Sequence, residues 1–128
     1  VKISTVLGPE FNGAHAAYFS KFAIEAFAQG SVPMAGIWRL PPLYLSGIRY
    51  APERDHGSGN EDFALPDVTF RNRVGDCDDL CIYRIWELRC QGELATCNAI
   101  WQANAIHVRV RRANGSLEDP SIILGARP

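Results

Sequence analysis

The six residues Gly75-Asp76-Cys77-Asp78-Asp79-Leu80 carry the most informative chemistry in this chain. They place a thiol in the first turn of an apolar segment, directly after a residue suited to cap a helix. A thiol there meets the positive end of the helix dipole, which lowers its pKa and favours the nucleophilic thiolate. The backbone N–H groups of a helix start can also stabilise an oxyanion. Gly75 leaves room for another chain to approach closely. Against this, Asp76, Asp78 and Asp79 crowd the same turn, and negative charge opposes thiolate formation. The dipole alone therefore does not activate Cys77, and an imidazole must come from elsewhere.

The chain has three histidines: His15, His56 and His107. His15 falls in a helical segment and His56 in a polar loop. His107 heads an alternating strand, and Asp119-Pro120 follows across an Asn114-Gly115 turn. In a tight hairpin centred near residue ~114.5, positions 107 and 119 sit opposite each other, with slack for a bulge. A carboxylate opposite an imidazole fixes its tautomer and stabilises its charged form. Cys77, His107 and Asp119 thus make a coherent nucleophile, base and orienter.

The elements that must position these groups are readable in outline. Residues 1–7 suit a strand, and 14–29 a helix with Ala14, Tyr18, Phe22 and Ile24–Phe27 near helical spacing and Gly30 as its cap. Residues 31–42, with Pro33, Pro41 and Pro42, are expected to be irregular and extended. Residues 43–50 suit a short extended piece. The polar stretch 52–66 reads as a loop, long enough to act as a lid that Gly57–Gly59 would hinge. Residues 76–91 form the clearest helix, apolar on nearly every side and so expected to be central. Strands follow at 94–102, 106–112 and 116–119. Helices first and antiparallel strands later make an α+β domain, one domain over residues 1–128.

Composition narrows the function classes. The 128 residues carry 13 basic and 14 acidic side chains, for a net charge of −1. That balance argues against nucleic-acid binding, which rests on a basic surface. No apolar run approaches the ~18 residues of a membrane span. No signal peptide is visible at the start, which suggests a cytoplasmic location. The four cysteines, Cys77, Cys81, Cys90 and Cys97, lie close together and match no paired zinc spacing, so reduced thiols are expected.

GDCDDL, then a strand beginning IHVRV, then a hairpin leading to EDP, resembles the transglutaminase-like branch of the papain-like cysteine enzymes. SGIRY at 46–50 and EDPSIILG at 118–125 are similar to small stand-alone members from bacteriophages and bacteria. The likeness runs over residues 41–125. It implies a papain-like fold in which a central buried helix starts at the nucleophilic cysteine and packs on an antiparallel sheet. It implies a catalytic triad of Cys77, His107 and Asp119, an acyl-enzyme thioester, and peptidase, amidase or acyl-transfer chemistry on a peptide or protein amide substrate, in a bacterial or phage-infected cytoplasm or a virion. The small chain, with little surface for two protein substrates, favours hydrolysis over transfer. No cofactor or metal is implied. Two points depart from the family pattern. Val108, Arg109 and Val110 follow His107 where an aromatic is usual. The second oxyanion donor is unassigned among Tyr50, Asn72 and Trp38.

Other readings stand beside this one. Cys77, His107 and Asp119 could be structural residues of a non-catalytic virion or tail module that kept the fold. The same three are competent zinc ligands. Cys81, one turn past Cys77, is core or a resolving thiol. Cys90 and Cys97 read as structural, Asp78 and Asp79 as helix-start charges, and Arg109, Arg111 and Arg112 as a solvated strand face.

Overall fold

The computed structural model describes residues 2–6, 13–52, 60–103 and 105–125. Strand β1 (Lys2–Val6) precedes helix α1 (Gly13–Gly30). The inward face of α1 is made mostly of small residues: Ala16, Ala17, Ser20, Ala23, Ile24 and Ala28 are all buried. Tyr18 and Phe22, expected on the buried stripe, are instead 74% and 68% exposed. Small side chains let α1 sit close to its neighbours, so the alanine stripe wins over the larger aromatic one. Gly30 is inside the helix and does not cap it. Ser31 closes the end, its N–H and its hydroxyl both donating to the Phe27 carbonyl at 3.1 and 2.8 Å.

The segment expected to be irregular is locally helical. It holds a 3-10 turn at Val32–Met34 and helix α2 (Ala35–Trp38), and a second 3-10 turn follows at Leu43–Leu45, in the stretch expected to be extended. Pro33 is tolerated because it lies in a first turn, where no N–H is needed. Core side chains pin these turns. Trp86 Nε1 donates to Ser31 O at 2.8 Å, Tyr83 OH to Pro41 O at 2.6 Å, and Leu43 N–H to Glu87 Oε1 at 3.1 Å. Of residues 43–50, only β2 (Arg49–Tyr50) is extended.

The polar stretch 52–66 is not all loop. Strand β3 (Asn60–Ala64) pairs antiparallel with β1, from Lys2↔Ala64 to Val6↔Asn60. Its partner lies more than fifty residues away, which no local pattern reveals. His56 and the lid glycines Gly57–Gly59 lie outside the described residues. Helix α3 (Pro66–Asn72) follows, started by Pro66 and ended by Arg73 in the left-handed region at φ 58°. Strand β4 (Val74–Gly75) runs parallel to β2, Arg49↔Val74 and Tyr50↔Gly75.

Helix α4 (Cys77–Cys90) is the hub, as expected. Leu80, Cys81, Ile82, Tyr83, Ile85, Trp86 and Leu88 are buried around its circumference. It contacts α1, α3, β6 (Ala105–Arg111) and α5 (Pro120–Ile123). Gly92, at φ +88°, turns the chain after it. Strands β5 (Thr96–Gln102), β6 and β7 (Leu117–Glu118) form an antiparallel sheet in that order. Val108 and Val110 are buried, and the residues between them face the other way. The architecture is α+β, a small antiparallel sheet packed against helices. Among the described residues no helix is long and apolar enough to cross a membrane.

Candidate active site

Cys77 is the first residue of α4, and the aspartates around it divide their work. Asp76 caps the helix: its side chain accepts the Asp79 N–H at 3.0 Å. Asp79 Oδ2 accepts the Asp76 N–H in return at 3.3 Å, a reciprocal capping box. Asp79 Oδ1 also accepts the Ala64 N–H at 2.8 Å, tying β3 to the helix start. The space at Gly75 is filled by the chain itself. A Cβ there would lie 2.9 Å from Asp79 Cβ and 3.2 Å from Thr69 Cγ2.

Asp78 does different work. It is buried, and its Oδ1 lies 3.9 Å from Cys77 Sγ. Burial pushes the Cys77 thiol well above its ordinary value, and Asp78 and then Asp76 push it further. A hydrogen bond from the Val108 N–H opposes them and does not prevail. Desolvation and the carboxylates thus push the thiol up, opposite to the direction in which a helix start alone would move it. The same bond sets Sγ against the β6 backbone at Val108, the residue after His107.

His107 Nε2 lies 2.6 Å from Asp119 Oδ2. The contact is diagonal and not directly across the hairpin as expected. Gly115 N–H donates to Arg112 O at 2.9 Å and Arg112 N–H to Ser116 O at 2.8 Å, while Gly115 takes φ +91°. This is a three-residue loop, Ala113 to Gly115, with its last residue left-handed. The register becomes Val110↔Glu118 and Arg111↔Leu117. Continued, it sets Asp119 across from Arg109, and His107 reaches it from the next position on the same face. Asp119 has a second duty: its Oδ1 accepts the N–H groups of Ser121 and Ile122 at 3.1 and 3.4 Å, capping α5.

Of the three candidate oxyanion donors, Tyr50 lies nearest this chemistry. Ala51 N–H donates to Gly75 O at 2.9 Å and Tyr50 N–H to Leu124 O at 3.1 Å, so β2 bridges the residues before Cys77 and those after Asp119. Burial raises the Tyr50 phenol, and the charges of Cys77, Asp76 and Asp119 add to the effect, so its hydroxyl keeps its proton. Asn72 is exposed at the end of α3, and Trp38 packs on Trp86 with centroids 5.9 Å apart.

All four cysteines are free. Cys81 and Cys97 are buried, and burial foremost raises both thiols, Cys97 to about 12. Cys90 is exposed, contrary to a structural role in the core. The arginines of β6 and the hairpin are not a uniformly solvated face. Arg109 Nη2 donates to Asn98 Oδ1 at 3.0 Å, and Arg112 forks onto Glu93 at 2.6 and 2.7 Å. His15 is exposed on α1. Among the described residues no three His, Cys, Asp or Glu side chains are grouped so as to hold a metal ion.

Sequence reasoning missed one cluster altogether. Glu118, next to Asp119, accepts from Arg84 Nε at 2.6 Å, from Arg112 Nη1 at 3.1 Å and from the Tyr44 hydroxyl. Its members come from distant stretches with no shared motif, so no spacing announces it. Compared with family models, curated proteins and solved structures, the chain has no match in any of the three.

Proposed function

We propose that this chain is a thiol hydrolase of the transglutaminase-like, papain-like kind, acting on an amide or peptide bond through Cys77, His107 and Asp119. The observation that carries the reading is the His107–Asp119 contact at 2.6 Å, on the strand whose next N–H meets Cys77 Sγ.

The tautomer follows from that contact. With Nε2–H donating to Asp119, Nδ1 of neutral His107 is an acceptor. In this reading His107 is the general base for the Cys77 thiol. Nδ1 takes the thiol proton as Sγ bonds to the carbonyl carbon. The carbonyl electrons move to oxygen, where the Cys77 N–H and the Tyr50 hydroxyl stabilise them. Collapse breaks the C–N bond, and His107 returns its proton to the leaving amine. Water then attacks the thioester, His107 again taking a proton, and the acid product leaves with the thiol restored. Asp119 orients His107 and steadies the imidazolium in both halves.

The half-buried, carboxylate-flanked thiol also supports a second reading, a non-catalytic module such as a virion or tail component. One experiment separates them. The full chain is incubated with a peptide p-nitroanilide mixture, and amine release is followed with intact mass spectrometry of the protein. Hydrolysis that requires Cys77 and His107, with an acyl adduct on Cys77, supports the enzyme. No release and no adduct under any condition up to pH 9 leaves the structural module.

A further inference from the structure

Strand β7 is two residues long, and its ladder stops at Val110↔Glu118, one position short of Asp119. Two backbone pairs hold a strand end weakly. Asp119 is therefore placed by α5, which it caps, on one side, and on the other by whatever holds Glu118. The Glu118 side chain is only 14% exposed. It accepts from Arg84 Nε at 2.6 Å and Nη2 at 3.4 Å, from Arg112 Nη1 at 3.1 Å, and from the Tyr44 hydroxyl. Burial opposes its charge, but these donors outweigh burial and keep its carboxyl below the usual range.

The anchors are themselves anchored. Arg84 lies 3.3 Å from Glu87, which accepts the Leu43 N–H. Its guanidinium stands 4.9 Å over the Tyr44 ring. Arg112 is forked onto Glu93 at the exit from α4. Arg84 also rides the same helix as Cys77, two turns further on, about 10 Å along a stiff rod.

We propose that Glu118 is a positioning residue: clamped by Arg84, Arg112 and Tyr44, it fixes the strand end that carries Asp119 to the helix that starts at Cys77, and so sets the His107–Asp119 contact. Helix α4 then serves as one frame for both ends of the triad. A buried, forked guanidinium–carboxylate pair suits this task because it fixes direction as well as distance. The kinetic consequence rests on the thiol-hydrolase reading; the geometric one does not.

The test uses the full chain and a readout independent of turnover. The ring N–H shared by His107 and Asp119 gives a downfield proton resonance, assigned by its loss in His107→Gln. In Glu118→Gln that resonance moves upfield or broadens away while the fold is retained. Arg84→Lys, which keeps the charge and drops the fork, gives a smaller shift and serves if the first variant does not fold. Lys21→Met, which breaks the Lys21–Glu25 pair on α1, controls for general destabilisation and leaves the resonance in place. If an amide substrate is turned over, kcat of Glu118→Gln falls roughly ten- to a hundred-fold with KM little changed. An unmoved resonance in folded Glu118→Gln and Arg84→Lys overturns the proposal. A moved resonance in a chain that hydrolyses nothing leaves the positioning role standing and removes only the enzyme reading.

Discussion

Asp119 holds His107 Nε2 with one carboxylate oxygen at 2.6 Å and caps helix α5 with the other. One side chain thus links the imidazole to the backbone that follows it. Asparagine caps a helix about as well as aspartate but lacks the charge. Asp119→Asn is therefore expected to stay within about 0.5 kcal/mol of wild type, whereas Asp119→Ala loses about 1 kcal/mol. Both lose hydrolysis. Urea unfolding beside amide turnover checks the split, and an Asp119→Asn chain that hydrolyses at the wild-type rate contradicts the assignment.

Asp78 Oδ1 stands 3.9 Å from Cys77 Sγ. After burial it is the strongest influence raising the Cys77 thiol. Removing its charge in Asp78→Asn lowers the thiol pKa, so alkylation at Cys77 sets in at lower pH. The pH profile of iodoacetamide labelling, read by mass spectrometry, measures this. A midpoint that does not fall would show that the Asp78 charge does not reach Sγ.

Gly75 is required by packing. Its backbone is not in the left-handed region, so the objection to a side chain is steric alone. Gly75→Ala presses a methyl group on Asp79 and Thr69, at the capping box that starts α4. Overpacking of this kind costs about 1–3 kcal/mol. The urea midpoint is expected to fall with an unchanged m value, and an unchanged midpoint would show that the helix start yields easily.

Acid stability should report the Glu118 clamp. The folded carboxyls of Glu118 and Glu93 lie below 4.5, Glu93 at about 2. A depressed folded value means stability that is present above the unfolded value and lost as pH falls through the folded one. Thermal unfolding is thus expected to drop below pH 4.5. In Glu118→Gln the starting value is lower and the acid drop is shallower. Equal slopes in the two proteins would mean that Glu118 is not held in its charged form.

Much of the site was legible because its signals are local. Asp76 before Cys77, the all-round apolar content of 80–88 and the alternation at 107–111 each act through nearest neighbours, and α4 and β6 formed where they pointed. The errors lie where distant partners decide. Tyr18 and Phe22 looked like a core stripe, but the alanine face of α1 fits its neighbours more closely. Residues 60–64 looked like loop until β1 is seen to pair with them. The three-residue loop, one longer than an Asn114-Gly115 turn, moved Asp119 from opposite Val110 to opposite Arg109, and so onto the face of His107, where the two meet diagonally. The Glu118 clamp joins residues 44, 84, 112 and 118, and no periodicity connects them.

The most direct test is labelling of Cys77 by iodoacetamide at pH 7, in wild type and in His107→Ala, with exposed Cys90 as the internal reference. If His107 acts as base for the thiol, Cys77 labelling falls roughly a hundred-fold in the variant, the lower end of what a positioned base contributes, while Cys90 labels at the same rate. Equal Cys77 rates in the two folded proteins would mean that no Cys77–His107 pair operates, and the thiol-hydrolase account would be wrong.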